Sequence, residues 1–290
     1  MTKLIYGTAN FNSSYGFLKS KHFADIRLNK YLLNNNINTL DTALVYKYDL
    51  KNLSLVRKKN LKIISKIKLP KSNKLKFINN LEKNIKLNLK YLKKNNYEAM
   101  LFHNVFDLKT IEGKQMLNVL KDLKFKKLIK NIGVSIYDRN EMNIVLKNFK
   151  PEIVQFPLNL LNKKKFDKSF ITYLKKIGIK SQIRSIFFQG LLLKNIFYIK
   201  KQRIRNNIKT ALVYIDNLSK KNNLAKIELT INYIRSVNPD SIVVGSDNIQ
   251  QFKIINELFK RSVKIKKIKG LLKFNNIDTR SKILLSNLKI

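Results

Sequence analysis

The chain has 290 residues, 44% of them hydrophobic, which is enough apolar material for one large domain with a full core. It has no cysteine and two histidines, so a disulfide framework, a thiolate zinc site and a cysteine nucleophile are excluded and no metal centre is expected. Against 18 acidic residues stand 60 Lys and Arg, a formal charge of +42. The charge is spread along the whole sequence, Lys far outnumbers Arg, and Asn and Ile crowd the same stretches. A compositional bias at ordinary surface positions therefore accounts for it better than a polyanion partner does, and no specific nucleic-acid binding is expected.

The first residues contain no apolar stretch of signal-peptide length. The most apolar long window, 186–199, is interrupted by Gln189, Gly190, Lys194 and Asn195. It falls short of the roughly 20 apolar residues that a membrane span needs. A soluble, cytoplasmic protein with no membrane partner is expected.

Residues 3–9 read as a short apolar strand that runs into Gly7-Thr8-Ala9. Residues near 19–35 read as a helix closed by a run of Asn. Residues 38–43 form a second strand, a short helix covers about 50–58, and 61–67 form a third strand. Pro70 then breaks the chain, and Ser72 is placed to cap a helix in which Ile78, Leu81, Ile85, Leu89 and Leu92 recur at spacings of three and four. A fourth strand over 97–103 precedes a helix carrying Met116, Leu120 and Leu123 on one face.

The fifth strand covers 131–137, and Asp138 is a candidate cap for a helix that ends before Pro151. The sixth covers 153–159. Phe170, Leu174 and Ile177 mark a helix stopped by Gly178. The seventh strand covers 181–186, followed by a longer connection to about residue 205 that carries Gln189 and Gly190. Helices over about 207–221 and 226–236 lead to the eighth strand, 241–246, and to a helix from about Asn248. Residues 261–290 read as a basic extension with short apolar runs, expected to be helical and packed on the outside.

Eight strand-like runs, each followed by a helix-like one, imply parallel strands and right-handed crossovers. That number closes a (β/α)8 TIM barrel, an α/β fold expected here as a single domain over 1–260 with the C-terminal extension 261–290. A doubly wound open sheet competes. It usually carries a Gly-rich first turn, and Gly7-Thr8-Ala9-Asn10-Phe11 lacks one. In a barrel, Asp41, Lys66 and His103 stand at the C-terminal ends of strands two, three and four, with Tyr46 on the loop after strand two. Each alone is an ordinary cap or packing residue. Together, a carboxylate, an ammonium, an imidazole and a phenol on adjacent strand ends make a candidate proton-transfer site.

Through these residues the sequence resembles the aldo-keto reductase family along nearly its whole length. Asp41-Thr42-Ala43-Leu44-Val45-Tyr46 is similar to the family's Asp-Thr-Ala-x-x-Tyr signature, Ser65-Lys66 to its Lys strand, and Leu101-Phe102-His103-Asn104 to its His strand. Leu4 to Ala9, Ile132 to Ser135, Val154 to Asn159, Arg184 to Gly190 and Val243 to Ser246 follow in the family's order. The resemblance implies hydride transfer between a nicotinamide cofactor, NADPH or NADH, and a small carbonyl or alcohol substrate, such as a sugar or small aldehyde. Tyr46 would be the proton donor, since a nearby ammonium, Lys66, lowers a phenol pKa that is otherwise about 10. Asp41 would hold Lys66, and His103 would orient the carbonyl. The resemblance also places Ser135 and Gln155 around the carboxamide and Ser185, Gly245 and Ser246 toward the phosphates. Gln251 and Asn256 fall at the adenine end, where Gln251 replaces an Arg common in relatives and Lys253 is close by. Overall charge then favours NADPH.

The sequence departs from the family's pattern at Lys47 and Leu50, where relatives carry Gly and Glu, and it contains no tryptophan. The first strand begins near Lys3, which leaves no room for the N-terminal hairpin of many relatives. Tyr48 is the next candidate acid should Tyr46 not serve. Two further readings are a reductase-like barrel acting as a regulatory or interaction subunit, against which all four residue types stand, and a polyanion binder suggested by charge alone.

Overall fold

Strand β1 (Lys3–Gly7) displays the alternation on which the architecture rests. Ile5 belongs to one apolar cluster, whereas its neighbours Leu4 and Tyr6 belong to another. The first cluster contains only strand residues, Ile5, Ile64, Ala99, Leu101, Ile153 and Val243, and fills the inside of a barrel. The second is much larger and combines the outward strand positions with the apolar faces of the helices. In the computed structural model, residues 2–9, 26–44, 60–162, 166–201, 204–246 and 248–260 are described.

The barrel continues through β2 (Thr39–Asp41), β3 (Lys62–Ile67), β4 (Ala99–Phe102), β5 (Ile132–Ser135), β6 (Ile153–Pro157), β7 (Lys180–Arg184) and β8 (Ser241–Val244). Each strand pairs in parallel with the next, and β8 pairs back onto β1 to close the ring. This is the eight-stranded α/β barrel that the strand–helix alternation predicts. Around it lie α1 (Ile26–Asn34), α2 (Lys74–Asn79), α3 (Leu81–Leu92), α4 (Ile111–Phe125), α5 (Glu141–Asn148) and α6 (Lys168–Lys176), then α7 (Ile196–Lys201), α8 (Asn206–Lys221), α9 (Lys226–Val237) and α10 (Ile249–Lys260). Among the described residues no helix is long and apolar enough to cross a membrane.

Local structure differs from the sequence expectation in four places. The stripe from Ile78 to Leu92 is fully buried but belongs to two helices, with Asn80 ending α2 and starting α3. The Asn80 side chain donates back to the Lys76 carbonyl at 2.8 Å, a local bond to the preceding turn and not a cap of α3. Ser72 is not the cap of α2. That place falls to Asn73, in the left-handed conformation at φ 56° that Asn tolerates. Asp138 lies two residues too early, since α5 follows Asn140. The Asp138 carboxylate instead accepts from the Asn140 N–H at 3.1 Å. The connection after β7 contains a 3₁₀ turn, Leu191–Leu193, and α7. The expected helix over 50–58, the first part of the helix near 19–35 and the extension 261–290 lie outside the described residues.

The excess of lysine over acid is visible in the surface pairing. Glu82 serves both Lys86 and Lys126, Glu98 both Lys62 and Lys130, and Asp216 both Lys220 and Lys226. The exposed pairs among them contribute little each, about 0–1 kcal/mol; Asp216–Lys226 is the more enclosed one. Stability therefore rests on the two apolar clusters.

Gly133 on β5 tests that dependence. A Cβ there would lie 2.4 Å from Leu101 Cδ2 and 2.5 Å from the Ile153 carbonyl oxygen, inside the barrel where neither neighbour can yield freely. Gly133→Ala is expected to cost about 1–3 kcal/mol by overpacking. Thermal denaturation should show a Tm lower by several degrees, and an unchanged Tm would mean that the barrel interior is loose.

Candidate active site

The backbone at the C-terminal end of β2 is fixed from both sides. The Thr8 N–H and hydroxyl both donate to the Asp41 carbonyl, at 2.9 and 3.1 Å. Beyond the strand, the Thr42 N–H bonds the Ile64 carbonyl and the Leu44 N–H bonds the Lys66 carbonyl, at 2.9 and 3.0 Å. The chain thus tracks β3 past the end of the formal strand. The end of β4 is held by a buried carboxylate. Asp107 accepts from the Leu69 N–H at 2.9 Å and from the Asn104 side chain at 2.7 Å, and Asn104 caps the 3₁₀ turn Val105–Lys109. The His103 N–H is tied to the Ile67 carbonyl at 2.7 Å. Asp107 therefore locks together the loops that follow the Lys66 and His103 strands.

Period-two alternation points Asp41, Lys66, Ser135, Gln155, Gln182 and Arg184 into the barrel above the inner apolar cluster. Lys66 forms an ion pair with Asp41 Oδ1, and both residues are at most 5% exposed. The Lys66 ammonium also donates to the Thr42 carbonyl at 3.2 Å. The second Asp41 oxygen accepts from Gln155 Nε2 at 2.7 Å. The same Nε2 donates to Gln182 Oε1 at 2.6 Å, and Gln182 Nε2 reaches the Ser241 hydroxyl at 3.3 Å. A polar chain thus crosses the barrel from β3 through β2, β6 and β7 to β8. A carboxylate can only accept, so the orientation of the Gln155 amide is fixed by its partner.

Burial drives the Lys66 pKa below the ordinary lysine value, further than the adjacent Asp41 carboxylate raises it, and Arg184 acts in the same downward direction. Burial likewise takes His103 from its ordinary 6.5 to about 4, assisted by the positive charges of Lys66, Arg184 and Lys68. The imidazole is therefore neutral around pH 7. Its Nδ1 is enclosed by protein and has no hydrogen-bond partner among the described residues.

Ser135 and Gln155 are register neighbours on β5 and β6, both buried. Gln155 Oε1 is a second buried atom without a partner among the described residues. Ser185 follows Arg184 at a left-handed φ of 59°, its carbonyl accepting from Asn159 Nδ2 at 3.3 Å. Gly7 runs close against β8. A Cβ on it would meet Val243 Cγ1 at 3.0 Å and the Gly245 nitrogen at 3.4 Å. Ser246 is buried, 3.5 Å from the Tyr6 hydroxyl. Asn248 caps α10 by accepting from the Gln251 N–H at 2.9 Å. Gln251 and Asn256 lie on that helix, outside the interior layer. Asn256 is buried and donates to Tyr31 Oη and Asn35 Oδ1, at 3.0 and 3.2 Å, which ties α10 to α1.

The structure thus brings Asp41, Lys66 and Gln155 into direct contact, with Ser135 and His103 in the same layer. Tyr46 and Tyr48 lie outside the described residues. Sequence reasoning passed over Gln182 and Arg184 as site residues. The available signal was their alternation in Gln182-Ile183-Arg184, two long polar side chains on one face of a strand.

The geometry is an α/β barrel with a buried Lys–Asp pair at the C-terminal ends of its strands, and the comparisons give its class. The model of the Aldo/keto reductase family matches residues 3–276, so the chain belongs to that family. No curated protein matches the sequence significantly. Among solved structures, the glycerol dehydrogenase AKR11B4 from Gluconobacter oxydans is similar at 16% identity and a TM-score of 0.64, covering 90% of this chain and 87% of its own. The holo form of aldo-keto reductase AKR11C1 from Bacillus halodurans gives 14% and 0.65 over the same shares. Aldo-keto reductase AKR2E5 complexed with NADPH gives 17% and 0.63 over 96% and 85%. Membership makes the protein an oxidoreductase and implies NAD(P)H-dependent reduction of a small carbonyl compound.

The residues present fit a nicotinamide. Gln155 Oε1 is an acceptor without a partner, suited to the N–H of a carboxamide, and the Ser135 hydroxyl stands beside it in register.

Two outcomes follow from the electrostatics. An unfolded chain binds a proton at His103 near pH 6.5 and the folded chain only near pH 4. The unfolded state therefore holds more protons in that window, and stability present above pH 6.5 is lost as the pH falls toward 4. NMR of the imidazole should show no protonation until the pH approaches 4, and His103→Asn should flatten the acid limb of a denaturation profile. For the buried pair, Lys66→Met leaves the Asp41 carboxylate uncompensated, at a cost of about 3–5 kcal/mol. Chemical denaturation should show that Asp41→Asn with Lys66→Met costs less than the sum of the two single changes. Strict additivity would mean that the pair does not interact.

Proposed function

We propose that the protein reduces a small aldehyde or a sugar carbonyl with NADPH, using Tyr46 as the general acid. The observation that supports this most directly is the buried Lys66–Asp41 pair at the mouth of the barrel, with a neutral His103 on the neighbouring strand. When bound, the nicotinamide supplies hydride to the carbonyl carbon. Ser135 and Gln155 would hold its carboxamide, and Ser185, Gly245 and Ser246 would lie toward its phosphates. The capped N-terminus of α10 supports an anion site there.

The chain leaves the described residues at Leu44, beside Lys66, and Tyr46 is two residues further along the sequence. A phenol is a poor acid at neutral pH unless a nearby cation stabilises its phenolate. Lys66 provides that cation. Asp41 keeps the ammonium in place, and Gln155 keeps Asp41 in place through its second oxygen. His103 contributes a hydrogen bond and not a proton, because its imidazole is neutral at working pH. With Nδ1 sealed and unpaired, the tautomer protonated on Nε2 costs less, since a buried N–H without a partner is the more expensive orphan. Nε2–H is then the donor that orients the carbonyl oxygen.

The reading is tested by following consumption of the reduced cofactor over a panel of aldehydes and sugars. Calorimetry that found neither NADPH nor NADH bound to folded protein would sink it. Tyr46→Phe removes one oxygen and keeps the ring, so folding and cofactor affinity should persist while kcat falls by about 10²–10⁴-fold. Near-normal turnover in that variant would shift the role to Tyr48.

A further inference from the structure

We infer that Arg184 binds an anionic group of the substrate, so that the carbonyl compounds reduced at this site carry a carboxylate or a phosphate near the reacting carbon. This deepens the reading above and rests on it.

Arg184 ends β7 on the same face as Gln182, which is bonded into the polar chain across the barrel interior. Its guanidinium stacks over the Tyr137 ring at 4.4 Å. Its hydrogen bonds are two long contacts to neutral hydroxyls, Nη2 to Ser135 Oγ at 3.4 Å and Nη1 to Ser185 Oγ at 3.5 Å. Among the described residues it makes no ion pair. Asp41, the carboxylate of this layer, has one oxygen on Lys66 and the other on Gln155. The surroundings are cationic, and the positive charge of Arg184 depresses protonation of both Lys66 and His103.

A half-buried guanidinium among like charges is costly unless an anion joins it. Stacking on Tyr137 occupies the face of the planar fork and leaves its edge with only two long contacts to hydroxyls, the arrangement suited to a carboxylate or phosphate. Arg184 touches Ser135, which suits the carboxamide end of the cofactor, where the nicotinamide ring is uncharged when reduced and cationic when oxidised. The substrate is the source of an anion on that side, and the cofactor phosphates on the Ser185 side are the competing source, which the NADPH-affinity arm of the test separates. Arg184 shares the inward face of β7 with Gln182, which is joined through Gln155 to the Asp41–Lys66 pair, so an anion held by it lies at the same barrel mouth as the carbonyl.

The test compares substrates in pairs with NADPH, succinic semialdehyde against butanal and glyceraldehyde 3-phosphate against glyceraldehyde, in wild type, Arg184→Met and Arg184→Lys. The wild type should favour the anionic member of at least one pair in kcat/KM by about tenfold or more, as a charge-assisted bond implies. That ratio should collapse toward one in Arg184→Met and be partly kept in Arg184→Lys. The pair that responds distinguishes carboxylate from phosphate. A ratio near one in wild type for both pairs, or a ratio unchanged in Arg184→Met while NADPH affinity falls, overturns the inference and assigns Arg184 elsewhere. Calorimetry with succinate and with inorganic phosphate gives a readout independent of turnover. Binding that is lost in Arg184→Met sustains the inference even if no carbonyl is reduced, an outcome that would count against the proposed activity alone. Absence of binding for both succinate and inorganic phosphate, or binding equal in the two proteins, overturns it.

Discussion

A lysine ammonium and an aspartate carboxylate buried together inside a barrel set the terms for everything around them. Taking two charges out of water costs several kcal/mol per ion, and mutual attraction repays this only when the remaining hydrogen-bonding capacity is met. Here Asp41 gives one oxygen to Lys66 and the other to Gln155, while Lys66 also reaches the Thr42 carbonyl. Gln155 is held in turn by Gln182, and Gln182 by Ser241. A half-satisfied polar network in this position would be worse than an apolar one. The polar residues spread over five strands are therefore one structural unit. The apolar cluster beneath them closes the barrel interior from below.

The strand ends were legible in the sequence because the information is local. A short apolar run that stops at Asp41, Lys66 or His103 locates both a strand and its polar terminus, and the barrel follows from counting such runs. Helix boundaries were less legible. Asn80 splits one amphipathic stripe into two helices without disturbing its period, so spacing alone cannot reveal the break. The cap of α2 falls on Asn73, one residue past Ser72, because a left-handed Asn starts that helix without a side-chain bond.

The links within the site were not legible, for a different reason. The bond from Gln155 to Asp41 joins residues 114 positions apart, and the one from Gln182 to Gln155 depends on which face of β7 turns inward. Only barrel closure decides that face. The same holds for Asn256, which resemblance placed at the adenine end. Its Nδ2 bridges α10 to Tyr31 and Asn35 of α1, a packing role that a motif match does not disclose.

Charge has different meanings at two depths of this molecule. At the surface, Glu82, Glu98 and Asp216 are each shared between two lysines, and the fields of exposed charges are screened within about 8–10 Å. Inside the barrel mouth, Lys66 is buried and Arg184 half-buried, both are fixed by strands, and both disfavour a charge on a single imidazole. There the surrounding low dielectric strengthens each interaction. Lys66 has its counterion in Asp41, whereas Arg184 has two hydroxyls and an aromatic face. That contrast between a buried and a half-buried cation, and not the total charge of the chain, is what points to a negatively charged ligand.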